Sequence, residues 1–202
     1  MPMPMVPAQS ALKESPGERI RAVALESFAR DGVEATSIRG VAATAGVSPG
    51  LVQHYFPSKR ALREAVDERV TEVAREALEV RRVEGDVIES LADRLTALVA
   101  EHFIALRYVA RGVAAGDEAA LAIFNTLTQL CRDQLAALEA EGMLRPDLDL
   151  DWAALHTVLI NLGTVALEPG VSRELGRPFL EPDQVERWKR ATTALFVAGE
   201  LR

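Results

Sequence analysis

Apolar residues along this chain recur at intervals of three and four rather than two, the spacing that gives a helix one apolar face. Ile20, Val23, Ala24, Ser27 and Phe28 form the first such stripe, with Pro16 suited to a first turn and Gly32 to a left-handed stop. The expected helix therefore runs from Pro16 to Asp31, behind a flexible arm over residues 1–15. Ile38, Val41, Ala42 and Ala45 make the inner face of a second helix that Thr36 or Ser37 can cap. Gly46 ends it and Val47 begins the return. Ser48 then caps a third helix with Pro49 at its first position, kept short because Pro57 drives the residue before it into extended backbone. Ser58 caps a fourth, carried by Lys59, Leu62, Val66, Val70 and Val73 to about Arg82.

The break RVEGD around Gly85 opens a second group. Its pattern predicts a helix over about 86–108, a short one over about 109–115, and a long one after Asp117 ending at Gly142. A further helix runs from Trp152 to about Leu167. An irregular stretch follows, with one turn near 171–175, and a last helix runs from Pro182 or Asp183 to about Ala198. The expected architecture is all-α with about nine helices: a three-helix head over 16–63 and a larger helical body over 64–202, the fourth helix linking them from residue 58. No internal repeat interrupts this plan.

Composition agrees with a soluble helical chain: 202 residues, 49% hydrophobic, 26% charged and only 5% aromatic. The single cysteine, Cys131, excludes an internal disulfide framework and fits a reducing compartment. The opening MPMPMVPAQSALKESPG lacks the basic start and apolar run of a signal peptide. The longest mostly apolar stretch, Leu155 to Leu167, is interrupted by His156, Thr157, Asn161 and Thr164 and is too short to span a bilayer. A cytoplasmic protein with no membrane partner is expected.

Net charge is −7, unpromising for a nucleic-acid binder until its distribution is considered. From Lys13 to Arg63 the balance is +3, and the rest of the chain carries −10. A mildly basic head on an acidic body is compatible with local DNA contact. Catalytic chemistry finds no support. Cys131 has no histidine near it in sequence, and His102 and His156 are isolated. No zinc spacing, nucleophile elbow, dinucleotide fingerprint or phosphate loop occurs. No catalytic residue, metal or cofactor is expected.

The informative segment is VAATAGVSPGLVQHYFPSK, residues 41–59. Two short helices joined through a glycine form a helix-turn-helix pattern. Ala42 allows a close crossing, and Gly46 supplies the positive φ of the turn. If Val47, Val52 and Phe56 point inward, then Pro49, Gly50, Leu51, Gln53, His54 and Tyr55 share the outer and end surfaces, with Ser48 at the helix start. Such a helix inserts its exposed face into the major groove. Arg39 is a phosphate or base contact, or a solvated charge.

The segment ARDGVEATSIRGVAATAGVSPGLVQHYFPSKRAL resembles the DNA-binding segment of the TetR family of transcriptional regulators. The matching residues are Asp31-Gly32, Thr36-Ser37-Ile38, Val41-Ala42, Ala45-Gly46-Val47-Ser48, Gly50, and Phe56-Pro57-Ser58-Lys59 with Leu62, within residues 18–64. The resemblance implies a dimer whose heads bind a palindromic operator and whose bodies bind a small-molecule effector, usually relieving repression. It puts Thr36 and Ser37 at the start of helix 2 and Lys59 at the start of helix 4, both phosphate sites in the family. The chain departs from the pattern at Gln53, where many members have a phosphate-contacting tyrosine, and at Tyr55, where many have histidine.

In the family the last two long helices form a four-helix bundle with the partner. Here Trp152, Leu155, Leu159, Leu162 and Ala166, with Gly163, run down one of them, and Val185, Trp188, Thr192, Leu195 and Gly199 down the other. The effector site implied for the middle helices draws on polar tips that interrupt apolar faces: His102, Tyr108, Asn125, Gln129, His156 and Asn161. Phe103, Leu106, Phe124 and Leu127 are its candidate walls, suiting a small, largely apolar ligand. The competing reading is a helical small-molecule-binding or scaffold protein whose head lacks DNA affinity.

Overall fold

The computed structural model describes residues 15–79 and 87–200, apart from the side chains of 87–89 and 197–200. The arm over 1–14, the RVEGD break and the Gly199 contact lie outside the described residues. Ten α-helices and no strand form among the described residues. They are α1 (Pro16–Asp31), α2 (Ile38–Thr44), α3 (Pro49–Tyr55), α4 (Lys59–Leu78) and α5 (Val87–Glu101), then α6 (Phe103–Ala114), α7 (Glu118–Ala140), α8 (Leu150–Ala166), α9 (Glu168–Leu175) and α10 (Pro182–Glu200).

The starts of α2, α3 and α4 follow the caps read from sequence. Ser15, expected in the arm, instead forms a capping box with Glu18, its hydroxyl accepting from Glu18 N–H and its own N–H donating to the Glu18 carboxylate. Ser37, Ser48 and Ser58 each accept from the N–H three residues on, at 3.0, 3.1 and 3.0 Å. Gly46 takes φ +66°, the left-handed geometry that the turn between α2 and α3 requires. Ile20, Ala24 and Phe28 of α1 meet Val41, Ala42, Val52 and Leu62 in a core where none is more than 1% exposed. A fully buried Leu, Ile or Phe contributes roughly 1.5–3 kcal/mol, so these contacts dominate the head's stability.

Three expectations in the body need correction. The helix expected over 86–108 breaks at His102 (φ −119°, ψ 28°), so α6 starts at Phe103 and absorbs the short segment expected at 109–115. Neither proline nor glycine marks that break. The irregular stretch after α8 is the eight-residue α9, with Pro169 in its first turn and Gly176 in a left-handed stop; its axis turns 74° from α8. Finally, α4 ends at Leu78 rather than about Arg82, because Glu79 is extended. Among the described residues no single helix is long and apolar enough to cross a membrane.

Head and body are joined without a gap. α4 places Leu62 in the head core and Val70, Val73 and Leu78 in the body core. Phe28 of α1 lies against Tyr108 of α6, ring centres 6.2 Å apart. Around that contact, the Tyr108 hydroxyl donates to Asp67 Oδ1 at 2.5 Å, and Arg63 pairs with Asp67 at 3.5 Å and with Asp117. Asp117 also caps α7, accepting from Ala119 and Ala120 N–H at 3.1 Å. Arg111 donates to the Asp31 carbonyl at the end of α1, at 3.1 Å.

Candidate nucleic-acid interface and ligand cavity

One side of α3 is anchored and the other is open. Val52 is fully buried, Phe56 and Leu51 are half-buried, and Ser48, Pro49, Gly50, Gln53, His54 and Tyr55 are exposed. Tyr55 is 42% exposed and does two things at once. One face of its ring packs on Gly17, where a Cβ would stand 2.9 Å from Tyr55 Cδ1, while its edge meets His54 at 5.4 Å between centres. The ring therefore fixes the first turn of α1 against the end of α3. The exposed surface offers an amide, an imidazole and a phenol with no lysine or arginine among them, so permanent positive charge must come from flanking elements.

Lys59 opens the 20-residue α4, where free N–H groups and the positive dipole end favour an anion. Its ammonium donates to the Glu34 carbonyl at 3.0 Å, which holds it beside the α1–α2 turn. Arg39 is exposed on α2. Ser37 is exposed too, with its hydroxyl capping α2. Thr36, expected beside it as a phosphate contact, is 9% exposed, and its hydroxyl donates to the Gly32 carbonyl at 2.8 Å. It closes the α1–α2 turn and is withdrawn from the surface. Arg19, a cation of the head, donates to the Ala45 carbonyl at 3.1 Å and so stabilises the C-terminal end of α2.

The effector candidates scatter. His102 and Phe103 line an open cleft of about 710 Å³ between α1, α4 and the α5–α6 break. Tyr108 belongs to the head–body junction, and Phe124 packs half-buried on the core. Asn125, Gln129 and His156 are exposed: Gln129 donates to Asp133 at 2.8 Å, and His156 stacks on Trp152 at 5.5 Å. Leu106 and Leu127 border a void of about 20 Å³. Of the ten, only Asn161 reaches the partly open apolar cavity of about 80 Å³ between α4, α5, α7, α8 and α10. Leu78, Leu95, Cys131, Leu135 and Trp188 among others line it, none of them read from sequence as effector residues. The signal that could have found it is a buried pair four residues apart on apolar α8: Thr157, 8% exposed, and Asn161, 6% exposed. Burial also pushes the Cys131 thiol up to about 12.

The partner-helix residues divide similarly. Trp152, Leu159 and Leu195 are 56%, 50% and 66% exposed, and Ala166 is exposed with them, an apolar strip on α8 and α10. Gly163 has no atom within 4 Å of a built Cβ, which leaves its side of α8 open to close approach. Leu155 is half-buried. Leu162 and Val185, by contrast, are buried in this chain's own core. Trp188 stands edge-on to buried Phe179 at 5.8 Å, and with Thr192 it borders the cavity. Leu162 faces Leu106 of α6 and Leu127 of α7, and the three on α10 turn inward because α10 packs its Trp188 side on α5 and Phe179, a choice that helical spacing alone leaves open.

Comparison with known proteins agrees with this geometry. Residues 20–66 match the family model described as "Bacterial regulatory proteins, tetR family". The HTH-type transcriptional regulatory protein RaaS of Mycobacterium tuberculosis is 30% identical over 131 residues, 65% of this chain and 60% of that protein, so the alignment spans less than two thirds of it. The HTH-type transcriptional regulator UidR of Escherichia coli is 24% identical over 154 residues, covering 73% of this chain and 79% of that one. The solved ketosteroid transcriptional regulator KstR2 of Mycobacterium tuberculosis superposes with a TM-score of 0.68 at 19% identity, over 93% of this chain and 96% of its own, a likeness of fold. Residues 20–66 are thus a head of the TetR type, and the chain as a whole shares the all-helical fold of a solved regulator.

Proposed function

We propose that this chain represses transcription by binding a palindromic operator as a homodimer, and that a small, largely apolar effector releases it. Residues 16–63 are the DNA-binding head, and 64–202 the effector-binding and dimerisation body. The observation that carries this reading is α3 itself. Its inner side is locked by Val52 while Gln53, His54 and Tyr55 face solvent together, a surface without a packing role of its own beyond the Tyr55–Gly17 contact. Gln53 reads a base edge, adenine being the partner its amide fits bidentately. Lys59 and Arg39 hold the backbone, contacts that position the head without reading sequence.

Two heads must sit about one DNA turn, roughly 34–36 Å, apart or at another spacing the operator matches. The exposed strip of Trp152, Leu159, Gly163, Ala166 and Leu195 is the surface through which two chains fix that distance. α4 supports the coupling, since it carries Leu62 in the head core and Leu78 in the cavity wall. A ligand that prefers a tilted α4 lowers operator affinity by its differential affinity for that state. KstR2 is described as a ketosteroid regulator, but a cavity of about 80 Å³ has no room for a fused four-ring skeleton. The likeness therefore supports the coupling and leaves the ligand to this chain's own residues.

The test is binding of the purified protein to the DNA flanking its own gene and to selected random duplexes. Binding should weaken steeply with salt. Lys59→Ala should weaken it alike across sequences and reduce the salt slope by about one, and Gln53→Ala should lose about 1–3 kcal/mol and relax one position of the site. A chain that binds no duplex above its non-specific level at low salt would instead be a ligand-binding or scaffold protein with an inactive head.

A further inference from the structure

The face that α3 turns to solvent has two unlike halves. Val52 is fully buried, so at about 100° of rotation per residue Gly50 and His54 point away from the core. Pro49 shares one flank with Gln53 and Leu51 shares the other with Tyr55, each pair one helical turn apart. The later half, Gln53, His54 and Tyr55, carries an amide, an imidazole and a phenol. The earlier half, Pro49, Gly50 and Leu51, carries no hydrogen-bonding side chain at all. Pro49 and Gly50 are exposed, and Leu51 is half-buried.

Gly50 points to a partner outside the chain. Its φ is not positive, so the backbone there suits any residue. Beyond its own helix backbone, a Cβ built on it would meet only Ser48 Oγ, at 3.9 Å, an ordinary contact distance. Glycine weakens a helix relative to alanine, and here neither conformation nor internal packing requires it. What the missing side chain does allow is close approach of the helix backbone to another surface, with the Pro49 ring and the Leu51 side chain beside it. Arg39 on α2 and Lys59 at the start of α4 put positive charge on the neighbouring elements, which suits a polyanion.

Among the groups on a major-groove edge, the thymine C5-methyl is the apolar one. We infer that each operator half-site presents a thymine to Pro49 and Leu51, which read its C5-methyl by apolar contact while Gly50 lets the helix come close. This rests on the operator reading above and adds a second base to the adenine assigned to Gln53. Hydrogen bonding plays no part in the contact, so it separates thymine from uracil, which pairs identically, by one methyl group.

Uracil therefore isolates the point. The operator is selected from random duplexes with the full chain, and its thymines are then replaced one at a time by deoxyuridine. Fluorescence anisotropy on labelled duplexes at fixed salt measures each affinity. At a thymine in each half-site, uracil should weaken binding about fourfold, the effect of one buried methyl group. In Pro49→Ala or Leu51→Ala that ratio should fall to about one, whereas a side chain with only a structural role would lower both affinities and keep their ratio. Gly50→Ala should melt no lower than wild type yet lose about fivefold or more in operator affinity. Half-sites with no fixed thymine, or equal affinity for uracil throughout, would overturn the inference on the wild-type chain alone, whatever the variants do. A uracil penalty that survives both truncations would overturn the assignment to Pro49 and Leu51, and unchanged affinity in Gly50→Ala would overturn the close approach. A chain that selects an operator but ignores the methyl loses only this inference; one that selects no duplex loses the regulator reading and this with it.

Discussion

Tyr108→Phe removes one oxygen from the junction between head and body, and its consequence can be worked from the structure. The Tyr108 side chain is 3% exposed, and its hydroxyl donates at 2.5 Å to Asp67 on α4, the helix shared by both parts of the chain. A hydrogen bond to a charged group contributes about 1.5–3 kcal/mol, and here its loss also leaves the half-buried Asp67 carboxylate with Arg63 as its remaining side-chain partner. For a chain of this length, about 2–4 °C accompanies each kcal/mol, so the melting temperature should fall by roughly 3–12 °C at pH 7.5.

The pH dependence gives the sharper signature. Burial raises the Asp67 carboxyl above its ordinary value, while the Tyr108 hydrogen bond and Arg63 pull it back. Deleting the hydroxyl removes one of the lowering influences, so the carboxyl rises further. A carboxyl raised on folding contributes stability that is full below its unfolded value of about 3.9 and lost as pH rises through its folded value. That loss is larger in the variant. The gap between wild type and Tyr108→Phe should therefore be near 1 kcal/mol around pH 4, a neutral hydrogen bond, and widen toward neutrality. Urea unfolding across that range measures it. A gap below about 0.5 kcal/mol at pH 7.5, or one that does not change with pH, would refute the assignment.

Other consequences are more compact. Leu159→Glu puts a charge on the exposed strip of α8, so the chain should sediment as a monomer and lose operator affinity while melting within about 2 °C of wild type; a persistent dimer would place the interface elsewhere. Gly112→Val builds a side chain where α6 crosses α7, since a Cβ there stands 2.4 Å from Ala120 Cβ. It should cost about 1–3 kcal/mol in urea unfolding, and Ala120→Gly should recover part of that; no loss, or no recovery, would remove the close crossing. The Cys131 thiol, pushed by burial up to about 12, should resist a thiol reagent at pH 8 until denaturant is added, and rapid stoichiometric labelling of the native chain would contradict its burial.

The head was legible because its punctuation is local. Each helix start is a serine acting on an N–H three residues away, and the turn is a glycine that takes φ +66°. Such signals depend on nothing distant, so α1 runs over the residues its pattern predicts. Thr36 shows the boundary of that legibility. As a residue type it suits a cap or a phosphate, yet the α1–α2 turn is tight enough to bring the Gly32 carbonyl to 2.8 Å, and that acceptor takes the hydroxyl inward. Local grammar named the element correctly and the side chain's partner wrongly.

The body fails differently, because its helices are apolar on more than one side. On α8, buried Ala153, Ala154, Thr157, Val158, Asn161, Leu162 and Val165 alternate in register with exposed Trp152, Leu159 and Ala166. Helical spacing identifies both faces but cannot say which meets the chain's own core and which a second copy. The deciding fact is tertiary: α7 and α6 cover one side of α8 and leave the other open, and on α10 buried Phe179 draws Trp188 inward. Polar tips on such helices are no better guides one at a time. Asn125, Gln129 and His156 satisfy themselves at the surface, whereas Asn161 is set apart only by having Thr157 one turn before it. That neighbour's carbonyl takes the amide nitrogen and leaves the oxygen buried without a hydrogen-bond partner. What sets Asn161 apart is a hydrogen bond its surroundings fail to make, and that becomes visible only when all the packed neighbours are in place.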